Sequence, residues 1–233
     1  MTDKKWYVVH TYSGHEAKVK QSLLERAKSF HHESDFDEIL IPLDQPDTKA
    51  AILRHSPAGR VPVLVDGETA VWESIAIIEY AGERFDIPVW PTDREARAMA
   101  RSVAAEMHAG FQGLRSACPM NLGKRFASRD RGEDVDRDVA RFSEIVNGMR
   151  HRFGQSGPFL LGAFTGADAM FAPLVTRLET YGIAVDPVTR GYVDAILALP
   201  SFQAWREAAL REPWVLAQDE VDEEPVEVYR RAA

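Results

Sequence analysis

The chain has 233 residues, 45% hydrophobic and 27% charged, which is the composition of an ordinary globular protein of one or two domains with length enough to bury a core. Its 28 basic and 36 acidic side chains leave a net charge of −8, which argues against sequence-independent nucleic-acid binding because that needs a basic face. The lone cysteine, Cys118, excludes an internal disulfide framework and fits a reducing, cytoplasmic setting, while no apolar run approaches the roughly 18 residues of a membrane span and the N-terminus lacks the pattern of a secretory signal.

Trp6–Val9 is a compact apolar run that reads as a buried strand, and Thr11-Tyr12-Ser13-Gly14 breaks it. From His15 the period changes, with Val19, Leu23, Ala27 and Phe30 on one helical face. Phe36–Leu43 alternates Ile39, Ile41 and Leu43 and predicts a second strand, so the chain opens as a βαβ unit. Asp47–His55 predicts a short helix. Val61–Val65 and Ala70–Trp72 flank Asp66-Gly67, a strong hairpin signal, and Ser74–Phe85 predicts a helix. Asp86–Asp93 holds two prolines and reads as a linker, and no strand is expected beyond it.

Arg94–Met120 predicts one long helix, Arg125–Asp138 a charged loop or frayed helix start, and Val139–Phe153 another helix. A third covers Thr165–Tyr181, with Thr165 as N-cap, Asp168 closing a capping box and Phe164 as the hydrophobic staple. Helices over Tyr192–Leu199 and Ser201–Arg211 follow. Asp219–Glu227 carries six acidic residues and reads as a solvated tail. An α/β half thus precedes an all-α half.

The runs Leu43-Asp44-Gln45-Pro46-Asp47, Arg60-Val61-Pro62-Val63-Leu64, Trp72-Glu73-Ser74-Ile75-Ala76, Gly157-Pro158-Phe159-Leu160, Ala167-Asp168-Ala169 and Glu212-Pro213-Trp214 resemble the cytosolic glutathione transferases, over about residues 36–217 and closest to a bacterial branch. That resemblance implies a thioredoxin-like, glutathione-binding domain over residues 1–85 with the order βαβ-α-ββα. A linker at 86–93, an α-helical domain at 94–218 and the acidic tail at 219–233 would follow, in a chain that usually forms a homodimer. The opening is different. Lys5-Trp6-Tyr7-Val8-Val9-His10-Thr11-Tyr12-Ser13-Gly14-His15-Glu16 resembles the start of the NusG transcription elongation factors over some 30 residues. A charge step accompanies the change, since residues 1–33 carry 6 basic and 4 acidic side chains (+2) and the other 200 sum to −10. The simplest reading is a chimera in which a NusG-like βα element replaces the first strand and helix of a transferase. Polymerase binding needs more of a NusG domain than one such element.

The resemblance assigns the site. Pro62 is expected to be cis, turning the Val61 backbone toward the cysteinyl part of glutathione as in added-strand recognition; the alternative is an ordinary turn proline. Glu73 and Ser74 begin a helix whose N–H groups and dipole suit the γ-glutamyl carboxylate, while an acidic side chain can pair with the neighbouring ammonium. Ser74 is also a good N-cap and would serve as one without a ligand. Arg60 and Lys49 suit the glycyl carboxylate, or are ordinary surface charge.

Catalysis requires a thiolate, because an unperturbed thiol is mostly protonated near neutral pH. The family donates a hydrogen bond to that sulfur from the first loop, where this chain has Tyr12 and Ser13. The alternative for Ser13 is capping the helix that follows. Met107, Phe111 and Arg115, at i, i+4 and i+8, would face a small hydrophobic electrophile, or simply pack as core. His31-His32 lacks a ligand set with metal spacing, so no metal is expected. Two functions stay open: a transferase that conjugates or reduces electrophiles with glutathione as cosubstrate, and a non-catalytic glutathione-binding or scaffold chimera whose first-loop residue has been lost.

Overall fold

The computed structural model describes residues 48–212 and 220–230. The expected opening βαβ unit, with Tyr12, Ser13 and the NusG-like element, lies outside the described residues. The chain divides into two units, Met1–Ile87 with Glu212–Leu216, and Pro88–Arg211 with Ala217–Ala233.

In the first unit, helix α1 (Thr48–Leu53) leads through a loop to a hairpin of β1 (Val63–Asp66) and β2 (Thr69–Trp72), and then to α2 (Ser74–Phe85). The strands pair antiparallel from Val63 opposite Trp72 to Asp66 opposite Thr69, so the two-residue loop is Gly67-Glu68. Gly67 has φ +62°, the backbone that tight hairpin turns demand. Asp66 ties the turn end of the hairpin to α2: the Tyr80 hydroxyl donates to its carboxylate at 3.0 Å and Arg84 Nε at 2.9 Å. The far end of α2 closes on Asp86 in left-handed conformation, with Ile87 N–H donating to the Gly82 carbonyl at 2.9 Å.

The second unit is built on six helices among its described residues: α3 (Arg94–Ala109), α4 (Gln112–Ala117), α5 (Glu133–Phe153), α6 (Gly166–Thr180), α7 (Pro187–Leu197) and α8 (Pro200–Leu210). Its core carries a chain of rings. Phe171 of α6 lies 6.1 Å from Phe111 and 5.5 Å from Phe142, and Phe142 lies 6.1 Å from Tyr192. The expected capping box is present: the buried Asp168 carboxylate accepts from Thr165 N–H at 2.7 Å, Thr165 Oγ1 at 3.0 Å and Leu160 N–H at 3.1 Å. Burial pushes this carboxyl up from its usual value against those hydrogen bonds.

Several expectations are corrected here. The long helix over Arg94–Met120 breaks into α3 and α4 at Gly110 and Phe111. A Cβ on Gly110 would meet the Glu106 carbonyl oxygen at 2.8 Å, and Phe111 takes a left-handed backbone (φ 61°). The charged stretch before Val139 belongs to α5, which starts at Glu133; Glu133, Asp134 and Asp136 sit in its first turn, where they complement the helix dipole. Phe164 is not a staple but is 44% exposed and edge-on to Phe159 at 5.4 Å.

The acidic tail is also structured. Residues Pro225–Val228 form β4, antiparallel to β3 (Lys124–Phe126), so strands do occur beyond the linker. Acidic side chains of the segment meet basic partners. Glu220 accepts from Lys124 at 2.5 Å and from Asn121 at 3.1 Å, Glu223 is held by both terminal nitrogens of Arg131 at 3.0 Å and by Arg129 at 2.7 Å, and Glu227 meets Arg125 at 3.3 Å. Charge that looked like solvation in the sequence is complementary charge in the fold.

Two outcomes follow for stability. Asp168→Ala would leave the Thr165 and Leu160 amides unpartnered in a buried place, and we expect a loss of about 2–4 kcal/mol in urea unfolding; an unchanged midpoint would show that the carboxylate does not hold α6 in place. The hydrogen bonds from Arg131 hold the Glu223 carboxyl below its usual 4.5. A lowered folded value means that this stabilisation is complete above pH about 4.5 and is lost as pH falls through the folded value. Wild type should therefore lose more stability than Glu223→Gln as the pH falls from about 5 to about 3.

Candidate functional site

The β1–β2 register decides which expected residues meet. Val63 lies opposite Trp72 at the open end of the hairpin. Val61-Pro62, just before β1, and Glu73-Ser74, just after β2, therefore emerge side by side at that end, although ten residues lie between them in sequence. The Val61–Pro62 peptide bond is cis, as the resemblance implies. Val61 is 54% exposed. Arg60, whose own N–H donates to Ser56 Oγ at 3.2 Å, reaches Glu73 with Nη1 to Oε1 at 3.8 Å. Both side chains of that pair are well exposed, so it carries little stability by itself.

Ser74 is the first residue of α2, and Glu73 occupies the N-cap position expected for Ser74. Glu73 has φ 70° and ψ 128° and makes no side-chain cap hydrogen bond. A positive φ at a glutamate is sparsely populated and costs of order 1–3 kcal/mol, a cost found mostly at functional sites.

The start of α2 differs from the other long helices. Asp93 caps α3 by accepting from Ala96 N–H at 2.8 Å, Asp186 caps α7 through Val188 and Thr189, and α6 has its capping box. Helix α5 has an acidic first turn and α8 has a proline in its first turn. Among the described helices of eight or more residues, α2 alone begins with no side-chain cap bond, no acidic residue in its first turn and no proline. Its first N–H groups and positive dipole end are thus available to an anionic group. The proline-type motif and the acidic-serine pair were readable from sequence; the left-handed backbone of Glu73 was not, because nothing in a Trp-Glu-Ser run encodes it locally.

The remaining expected residues are placed as follows. Lys49 is on α1, and its side chain is outside the described part. Met107 and Phe111 are buried in the second unit, 3% and 6% exposed. They do not share one helix with Arg115, because the chain turns at Gly110, yet the three still meet: Arg115 Nη2 donates to the Met107 carbonyl at 2.8 Å and lies 3.5 Å from its sulfur. Cys118 is fully buried, and burial pushes its thiol up to about 11 against the guanidiniums of Arg131, Arg177 and Arg129. Among the described residues no group of His, Cys, Asp and Glu is arranged to hold a metal ion, and no helix is long and apolar enough to cross a membrane.

Family models match on both sides of the linker: the glutathione S-transferase N-terminal domain over residues 29–84 and the glutathione S-transferase C-terminal domain over residues 132–208. The chain belongs to the glutathione S-transferase family. It is 26% identical over 174 residues to glutathione S-transferase L1 of Arabidopsis thaliana, covering 73% of this chain and 66% of that protein. A glutathione transferase homolog from Burkholderia gl BGR1, solved with bound glutathione, superposes with a TM-score of 0.52 at 28% identity, covering 68% of this chain and 78% of that one. The fold is thus that of a glutathione S-transferase, a thioredoxin-like N-terminal domain followed by a helical C-terminal domain.

The transcription termination/antitermination protein NusG of Pseudomonas aeruginosa is 36% identical over 110 residues, covering 43% of this chain and 62% of that protein. The chain therefore spans about two thirds or less of the length of these two curated relatives. This match bears out the NusG likeness expected of the opening.

The backbone at Glu73 yields a stability test that involves no ligand. Glu73→Gly should leave the melting temperature unchanged or raise it, since glycine adopts φ 70° freely, whereas the β-branched Glu73→Val should lower stability by about 1–2 kcal/mol. Equal melting temperatures for the two variants would show that the position carries no strain.

Proposed function

We propose that this protein is a glutathione transferase-like enzyme that binds glutathione at the open end of the β1–β2 hairpin and uses its thiolate to conjugate or reduce small hydrophobic electrophiles. The observation that carries this reading is the uncapped start of α2, set beside Val61 and Arg60. The γ-glutamyl carboxylate would take the N–H groups at Ser74, and Glu73 would pair with the ammonium on the same carbon. The Val61 backbone would meet the cysteinyl unit as an added strand does. Arg60 and Lys49 would face the glycyl carboxylate. Ser13, or Tyr12 beside it, would donate the hydrogen bond that favours the thiolate. Met107, Phe111 and Arg115 are assigned to the electrophile side by the family resemblance. Cytoplasmic location and a homodimer complete the reading.

The NusG-like sequence of the opening loop favours one second reading. Tyr12-Ser13-Gly14 in that context serves a strand-to-helix turn, and the chain would then bind glutathione without turning it over. Calorimetry and a thiol-conjugation assay with a general aromatic halide separate the two. We expect glutathione to bind, Glu73→Ala to weaken binding by roughly tenfold or more, and Arg60→Ala to weaken it by about threefold at most, with the latter effect fading in high salt. Ser13→Ala should lower turnover while leaving the dissociation constant within about twofold. Binding with no turnover above background would favour the second reading, and absence of binding would remove both.

A further inference from the structure

The C-terminal segment 220–230 is held to the helical unit in an uneven way. On its strand Val226 and Val228 contribute little, being 56% and 60% exposed, while the Tyr229 ring just beyond lies under the Arg206 guanidinium at 4.7 Å. Among the described residues its strand β4 pairs only with the three-residue β3, and the register slips between Arg125 and Phe126. A two-stranded ribbon of that length is marginal by itself. The ion pairs of Glu220 with Lys124 and of Glu227 with Arg125 are partly or well exposed, and such pairs are weak.

Glu223 is the exception. Its side chain is 9% exposed and receives both terminal nitrogens of Arg131, which is itself 3% exposed. Arg129 adds a third contact from the more exposed side. Beneath Glu223 the layers continue inward. The Arg131 guanidinium lies 4.3 Å over the Tyr181 ring, that ring stacks on Phe126 at 5.3 Å, and the Tyr181 hydroxyl donates to the Pro119 carbonyl at 2.7 Å. The adjacent Cys118 is fully buried, and its own carbonyl accepts from Arg177 Nε at 2.9 Å.

We propose that residues 220–230 are a strap latched by Glu223, which opens as a unit while helices α3–α8 stay folded and so uncovers the floor formed by Arg131, Tyr181 and Cys118. The cause is electrostatic. Arg131 is buried only because Glu223 neutralises it; without that carboxylate the guanidinium is an uncompensated buried charge and must move to water. Its departure unroofs Tyr181, and Val226 and Val228 on β4 are too exposed to resist the peeling. Segments with few buried apolar contacts open below the global unfolding free energy.

Cys118 is the chain's single cysteine, so its reaction with an aromatic disulfide reagent reports this floor in the full-length protein without any added label. In wild type the labelling rate should rise only shallowly with urea below the unfolding transition, as expected of local opening. Glu223→Gln should raise the rate at zero urea by about tenfold or more, while Glu227→Gln, which removes an exposed pair on the same strand, should leave it within about twofold. Hydrogen exchange gives a second view: the Tyr229 and Arg230 amides, which donate to the Gly123 carbonyl, should exchange faster than the amides of α6. If the wild-type urea slope equals that of global unfolding, or if Glu223→Gln and Glu227→Gln label alike, the strap does not open as a unit and the proposal fails. The wild-type slope decides the matter even if Glu223→Gln does not fold.

Discussion

A helix must find acceptors for its first N–H groups, and at α2 neither the N-cap side chain nor an acidic first turn among the described residues supplies them. That unmet demand organises the first unit's candidate site. It gives the Trp72-Glu73-Ser74 turn a direction, since the N–H groups at the helix start face whatever occupies the open end of the hairpin. Antiparallel register then brings Arg60, Val61 and Pro62 to the same place. The strained backbone of Glu73 is tolerable because α2 is fastened elsewhere: Asp66, at the other end of the hairpin, receives Tyr80 and Arg84 from the helix's second half. A fixed helix and a fixed hairpin leave the residue between them little conformational choice, and it takes up the strain that results.

The second unit meets the same demand by other means. Asp168 spends one carboxylate on the start of α6 and on the Leu160 amide of the preceding segment. Asp186 does similar work for α7, where Asn147 also donates to it. The buried Asp168 carboxylate there has three protein donors. The contrast with α2 is what gives the α2 start its meaning: each of the other described long helices has a side-chain cap, an acidic first turn or a proline at its start, and α2 has none of these.

Much of this was legible in the sequence. The short helix after Asp47, the hairpin around Gly67, the helix Ser74–Phe85 and the Thr165–Asp168 capping box follow from local rules, and the structure has them. The failures share a cause. Gly110 looked tolerable inside an amphipathic helix, but tertiary packing of Phe111 against Phe171 draws the chain out of it. The charged stretch Arg125–Asp138 reads as a loop or frayed helix start and Asp219–Glu227 as a solvated tail, because a sequence shows the sign of a charge and not its partner. One run turned out to stabilise a helix start, and the other to face Lys124, Arg125, Arg129 and Arg131. The left-handed conformation of Glu73 was invisible for the same reason, being imposed by the pairing of segments distant along the chain.

The residues of the proposed chemistry fall in stretches of the sequence that resemble two different families. Val61, Pro62, Glu73 and Ser74 lie inside the stretch that matches the transferase N-terminal domain, residues 29–84. Tyr12 and Ser13 lie outside it, in the opening that resembles NusG. Recognition of a γ-glutamyl carboxylate by backbone N–H groups needs only a correctly started helix, and that is local to residues 62–74. Thiolate stabilisation needs one hydroxyl aimed at a sulfur to within a few tenths of an ångström, and a 1 Å error there is costly. Transplanting a loop of the same topology can preserve the strand-to-helix turn without preserving that aim. Under the proposed function, binding and turnover are therefore separable, and affinity for glutathione alone would carry no information about whether its sulfur is activated.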